Sequence, residues 1–312
     1  MKALPAIILL IFLIFASNGH AQWHKIPSGI VDDIRGISFC AENVGYGVTS
    51  RGAILRFTGL GQPWKIDTLA GTRLLEDVFF FSGGRKGFAY GSTGSFFATE
   101  DGGLNWTPYK FDTSLWLGDI AFLDSKHGFL VGYDIHDPQN KGTLFHTSNS
   151  GKKWDTLSVS GRQLQTIDIS PQGVITVSGA EKIFISRDKG KTWETPDVPS
   201  GLTIKAVAIR SNQGIMVGMG GALALSNDAG KTWIKWNAFA NNIHLFSLLM
   251  LSPTAAYAVG SDGYILYTDD AGKNWIPQAS ASPYQLLDIQ LIGNRIFACG
   301  SNGTVVYRNL EE

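Results

Sequence analysis

The chain has 312 residues, with 26 basic against 26 acidic side chains, 37 glycines, 18 phenylalanines and 9 tryptophans. Balanced charge gives no basic surface for nucleic acid, and the lack of long helical periodicity in so glycine- and aromatic-rich a chain excludes helical domains. In chain order, the first element is Lys2 followed by an apolar run over residues 3–16, broken by Pro5 and ending in small and polar residues up to Gly19, His20 and Ala21. This is the pattern of a secretory signal, predicting cleavage after Ala21, a secreted or periplasmic mature chain and one domain over residues 22–312. No later segment is long and apolar enough to span a bilayer, so no integral membrane segment is expected after cleavage. No cysteine sits just after the predicted cleavage site at Ala21, so a bacterial lipid anchor is not expected.

The rest of the chain repeats. TEDGGLNW from Thr99, TSNSGKKW from Thr147, SRDKGKTW from Ser186, SNDAGKTW from Ser226 and TDDAGKNW from Thr268 align without gaps as Ser/Thr-x-Asp-x-Gly-x-x-Trp. The residues are Asp101 and Trp106, Asn149 and Trp154, Asp188 and Trp193, Asp228 and Trp233, and Asp270 and Trp275, with Asn149 in place of Asp. The pattern is the Asp box: the carboxylate accepts backbone N–H groups of its own turn, glycine permits a positive φ, and the indole packs inward. These residues are expected to be structural.

Trp23, Trp64, Trp106, Trp154, Trp193, Trp233 and Trp275 are 41, 42, 48, 39, 40 and 42 residues apart, each interval suiting one four-stranded blade. A second echo precedes the boxes, as in DIAFLDSKHGFLVG from Asp119 and DIQLIGNRIFACG from Asp288. After Trp275 the chain supplies only three more strands, near residues 286–291, 295–299 and 304–308. Trp23-His24-Lys25-Ile26-Pro27 matches the segment that follows a box, so it is expected to add the missing strand and close a ring. The expected fold is all-β: a seven-bladed propeller of four-stranded antiparallel blades. The box near Trp64 is degenerate, as end units of repeats often are.

With strands running from the centre outward, all boxes fall on one face of the ring and irregular loops on the other, where ligands usually bind. Candidates on that second face are Asp33, Arg35, Arg51, Arg73, Trp116, His244, Tyr284 and the insertion that lengthens the third interval, with Asp134, His136 and Asp137. Trp116 and Tyr284 beside arginine have the composition of a protein-binding hot spot, or else plug the gap between blades. The insertion reads as a protein-contact loop rather than a cation site, and neither a metal nor a cofactor is expected. Asp77, Asp119 and Asp288 share one repeat column near the start of the inner strand; they either converge on the channel mouth or bond their own turns. Cys40 and Cys299 fall in neighbouring blades, leaving both a disulfide and buried free thiols open.

A leader followed by repeats of D-[IV]-x-F…G-[FY]-x-[VY]-G…[ST]-x-D-x-G-x-x-W resembles the photosystem II stability/assembly factor-like propellers, and a non-photosynthetic bacterial member is expected. The resemblance implies a non-catalytic protein-binding or assembly scaffold, with no partner transferred residue by residue. The alternatives are a sialidase-like glycoside hydrolase and a carbohydrate-binding module that stacks a glycan on Trp116 and Tyr284. Against the hydrolase, Lys25-Ile26-Pro27 offers lysine where bidentate carboxylate recognition wants arginine.

Overall fold

The computed structural model describes residues 22–68, 74–157, 159, 161–239 and 243–310. Residues 1–21, where a leader is expected, and Arg73 lie outside the described residues. The chain forms seven antiparallel sheets around a central channel. After β1 (His24–Lys25), the first blade comprises β2 (Ile34–Ala41), β3 (Val44–Thr49), β4 (Ala53–Phe57) and β5 (Lys65–Thr68). The second comprises β6 (Leu75–Phe80), β7 (Gly87–Gly91), β8 (Phe96–Thr99) and β9 (Thr107–Pro108). The third comprises β10 (Leu115–Phe122), β11 (Gly128–Asp134), β12 (Gly142–Thr147) and β13 (Asp155–Leu157).

The fourth blade has β14 (Thr166–Ile169), β15 (Ile175–Ser178) and β16 (Ile183–Ser186), and its outer strand is reduced to one bridge between Ile185 and Glu194. Pro196 and Pro199 follow the bridge, and a proline has no N–H to extend a ladder. The fifth blade comprises β17 (Thr203–Arg210), β18 (Gln213–Met219), β19 (Leu223–Ser226) and β20 (Ile234–Lys235). The sixth comprises β21 (Leu245–Met250), β22 (Ala256–Gly260), β23 (Ile265–Thr268) and β24 (Ile276–Gln278). The seventh comprises β25 (Leu286–Ile292), β26 (Arg295–Gly300) and β27 (Val305–Asn309), with β1 as its outer strand.

Ring closure is therefore as the sequence predicts. His24 pairs with Tyr307 and Lys25 with Val306. Trp23 is 1% exposed and meets Tyr257 of the sixth blade edge-on at 6.0 Å. Lys25 thus lies in an outer strand, with Ile26 N continuing the pairing to Val305 O at 2.8 Å, away from the channel where a sialidase would need its arginine.

The box turns join third and fourth strands on one face. In each, the first hydroxyl donates to the third-position side chain and accepts the glycine N–H: Thr99 Oγ1 lies 2.9 Å from Asp101 Oδ1 and 2.9 Å from Gly103 N. The Asp then accepts the N–H two positions after the glycine, as Asp188 Oδ1 does from Thr192 N at 2.9 Å. Asn149 keeps the pattern through its carbonyl, accepting Lys153 N at 2.9 Å. The two residues before the sixth position lie in the left-handed region, for example Lys189 and Gly190 at φ 63° and 85°. A Cβ on Gly190 would also meet the Phe129 ring of the preceding blade at 2.4 Å. Glycine is required there by both backbone and neighbour.

The Cys40–Cys299 disulfide left open by the repeat register is not formed, and both thiols are free. Cys299 pairs with Asp288 near the start of β25, whereas Cys40 lies next to the far hairpin of β2. Four residues separate Cys40 from Gly36, the repeat equivalent of Asp288. At ~3.3 Å per residue that is about 13 Å along the strand, too far for a disulfide.

Candidate binding site at the channel mouth

At or near the start of each inner strand lies a fully or almost fully buried aliphatic residue: Ile34, Leu75, Leu117, Leu164, Ile204, Leu245 and Leu286. One residue later, the register of β2, β6, β10, β17, β21 and β25 shifts by a bulge. An extra residue in one strand re-aims its side chain without ending the sheet. The bulge residues are Arg35, Glu76, Gly118, Lys205, Phe246 and Leu287, with Gln165 at the equivalent place in the fourth blade. All seven line a single cavity of ≈ 530 Å³, joined by Trp116, Tyr133 and the carboxylate column.

Charge is arranged around this ring in a definite way. Arg35 Nη2 and Nε donate to Glu76 Oε2 at 2.7 and 3.2 Å, and Trp116 Nε1 donates to Glu76 Oε1 at 3.0 Å. The Trp116 indole lies over Gly118, where a Cβ would meet it at 2.4 Å, and rests on Tyr133 at 4.9 Å. Lys205 Nζ donates to the neutral Gln165 Oε1 at 3.0 Å. Burial and the nearby Arg35 charge hold the Lys205 ammonium below its ordinary pKa.

One residue further along, Asp77, Asp119 and Asp288 converge on the same cavity and also bond backbone, so both sequence readings apply. Asp119 accepts Ile120 N at 2.7 Å and, across the blade boundary, Ile167 N at 2.8 Å. Asp288 accepts Ile289 N at 2.8 Å and Ile37 N of the first blade at 3.2 Å. Asp77 accepts Val78 N at 2.7 Å and the Tyr90 hydroxyl at 2.8 Å. Gly36 takes the column position in the first blade, and a Cβ there would strike Asp77 Oδ1 at 2.0 Å. Burial drives Asp77 well above the ordinary carboxylate range, reinforced by Asp288 and Asp119. Burial pushes Asp119 up to about 8 in spite of its N–H bonds, and it raises Asp288 as well.

The structure sorts the remaining candidates. Arg35 and Trp116 meet in the cavity through Glu76, which sequence reasoning missed together with Tyr133, Gln165, Lys205, Phe246 and Leu287. Asp33 Oδ1 accepts Asn302 N of the seventh blade at 3.2 Å, and Arg51 pairs with Asp32 at 3.2 Å on the rim. His244 Nδ1 accepts Gly220 N at 2.9 Å and so holds a neighbouring turn. Tyr284 is 41% exposed. In the insertion, Asp134 accepts His136 N and Asp137 accepts Gln139 N, both at 2.8 Å, so these carboxylates build their own turns. The loop docks on the fourth blade through Gln163 N to Asn140 O and Arg162 Nε to Gln139 O, both 2.9 Å. Among the described residues no three His, Cys, Asp or Glu side chains are grouped to hold a metal ion, and no helix is long and apolar enough to cross a membrane.

Bladed sheets stapled by Asp boxes and closed by the N-terminal strand define a seven-bladed Asp-box propeller. Within that class, the chain belongs to the family of photosynthesis system II assembly factor YCF48, whose model matches residues 104–235 and 140–309. Over 185 residues it is 26% identical to the photosystem II assembly lipoprotein Ycf48 of Nostoc sp., covering 56% of this chain and 52% of the relative. The corresponding protein of Trichormus variabilis is 25% identical over 185 residues. The chain spans about half the length of the curated relatives it matches. Among solved structures, YCF48 bound to D1 peptide aligns with a TM-score of 0.75 at 19% identity, covering 94% of this chain and 96% of that one. YCF48 from Cyanidioschyzon merolae aligns at 0.72 and 16% identity, covering 94% and 100%. The WD40 propeller of Doa1 reaches 0.74 at 10% identity, covering 94% and 98%. At these identities the likeness to the solved structures is one of fold.

Proposed function

We propose that this protein is a non-catalytic, extracytoplasmic scaffold that holds a protein partner at the channel mouth opposite its Asp boxes. The observation that carries the reading is the ring of seven equivalent positions, one from each blade, which places six unlike side chains and Gly118 in one cavity of ≈ 530 Å³. A purely structural position has no need of Arg, Glu, Gln, Lys, Phe and Leu at equivalent places, and a rigid ring with varied side chains is how propellers present binding surfaces. The names of the relatives add support, since they are assembly lipoproteins and one solved relative is bound to a peptide. Export rests on the first 21 residues. The boxes serve the scaffold, and the insertion over residues 134–141 extends its binding face.

Affinity capture from envelope and secreted fractions tests this, comparing the wild type with Trp116→Ala and with a chain whose residues 134–141 are replaced by a Gly-Ser turn. Recovery of one partner that Trp116→Ala abolishes supports the mouth as the site. Equal recovery by wild type and Trp116→Ala removes it. Turnover of fluorogenic glycosides by the wild type overturns the non-catalytic reading.

A further inference from the structure

We propose that the channel mouth binds a carboxylate of its protein partner between Lys205 and Arg35, with Phe246 and Leu287 receiving the adjoining apolar side chain. The proposal rests on the scaffold reading and names the chemistry of the same site. Its first support is the state of Lys205. The ammonium is half-buried and lines the cavity, its recorded partner is the neutral amide oxygen of Gln165 at 3.0 Å, and among the described residues it joins no ion pair. A partly desolvated charge held by an amide alone gains most from an ionic partner.

The second support is the distribution around the ring. Glu76 already accepts three N–H groups, two from Arg35 and one from Trp116, so three of its roughly four lone-pair sites are committed within the protein. Arg35 spends Nε and Nη2 on that pairing, and among the described residues its Nη1 makes no hydrogen bond. Nη1 and the Lys205 ammonium are thus the cationic donors among the lining residues. The three aspartates beneath them are turned to backbone N–H groups and, for Asp77 and Asp288, also to the Tyr90 and Ser247 hydroxyls. Burial makes all three hold protons more tightly than ordinary carboxylates, Asp119 up to about 8, which weakens the negative charge they set against Lys205 and Arg35.

The third support is shape. Phe246 and Leu287 occupy the sixth and seventh places of the ring, and Trp116 fills the space that Gly118 leaves in the third. Around the ring the adjacent apolar places of Phe246 and Leu287 are flanked by Lys205 on one side and Arg35 on the other, the arrangement that suits an apolar residue followed by a carboxylate. That carboxylate has two sources, a chain terminus or an acidic side chain, and each has its own arm in the test.

The mature wild-type protein is titrated at pH 6.5 with labelled alanine-rich peptides: one ending in leucine with a free carboxylate, its C-terminal amide, an amidated peptide with an internal Leu-Asp, and a lysine-bearing amide. Saturable binding of the first alone assigns a chain terminus, and binding of the third as well assigns any acidic group. Lys205→Met should weaken binding roughly tenfold or more, whereas Lys205→Arg should retain most of it. Both variants should keep the wild-type circular dichroism and denaturation midpoint within the small range of a surface substitution. Raising the pH from 6.5 to 9 should also weaken binding, as Asp119, held at about 8, ionises and Lys205, held below its ordinary pKa, gives up its proton more readily.

Binding of the lysine peptide in preference to the acidic ones, no binding of either acidic peptide, or unchanged affinity in Lys205→Met overturns the proposal. If the acidic peptides fail while Trp116→Ala still abolishes partner capture, the carboxylate chemistry falls and the scaffold face stands.

Discussion

At the scale of single residues, the box hydroxyl matters as much as the aspartate that gives the motif its name. Thr268 is fully buried, donates to Asp270 and accepts the N–H of Gly272 at 3.0 Å. Thr268→Val keeps the shape and strands that N–H, which should cost about 1–3 kcal/mol in urea denaturation. The carboxylates act differently. Bonds from Asn105, Thr192 and Thr232 hold Asp101, Asp188 and Asp228 down at about 2. A carboxyl that binds its proton less tightly when folded contributes stability above the unfolded value near 4, and that contribution is lost as pH falls toward 2. Acid unfolding should accordingly set in within this window, and Asp188→Asn should shallow its slope, since Asn149 shows that an amide satisfies the same N–H groups.

At the scale of elements, the closing strand is the most vulnerable. β1 has only two residues, and its anchorage depends on Trp23, buried among Tyr257, Val259, Ile265 and Val306. Trp23→Ala should cost about 3–5 kcal/mol by thermal or denaturant unfolding, well beyond the same change at the partly exposed Trp106. Blade number, ring closure and box placement were legible in the sequence because the repeat fixes them many times over. The reduced outer strand of the fourth blade was foreshadowed only by Pro196 and Pro199. The channel ring was half legible: Arg35, Trp116 and the aspartate column stood out, but Glu76 and Lys205 did not. Their side chains differ from blade to blade, so they look like noise until a shared bulge shows that they occupy one place. Asp134, Asp137 and His244 stood out by their chemistry, and the structure engages the two aspartates in their own turns, as polar loop residues commonly are, and His244 with a turn of the preceding blade.

At the scale of the whole molecule, the inner edges of seven sheets face a channel, and their N–H groups are capped from neighbouring blades. Besides the aspartates, Ser38 Oγ accepts Phe80 N at 2.8 Å and Gln290 Oε1 accepts Phe39 N at 2.7 Å. The carboxyl collar thereby couples ring integrity to pH in the sense opposite to the boxes. Asp119 binds its proton more tightly in the folded state, up to about 8, so its contribution is full below the unfolded value near 4 and is lost as pH rises toward 8. Asp119→Asn should flatten stability between pH 5 and 8, measured as the denaturation midpoint across buffers. A midpoint that climbs with pH in the wild type over this range would contradict the collar's role.

The pairing of β1 with β27 also orders events in time. The first strand of the propeller to leave the ribosome must wait for the last before it has a neighbour, with the entire ring between them. Contacts this distant in sequence slow folding, because a large loop must close before they form. Until then β27 presents an unpaired edge, the kind of surface that joins one chain to another. The interval between completing the seventh sheet and seating Trp23 is therefore when two copies are most apt to exchange their first strands.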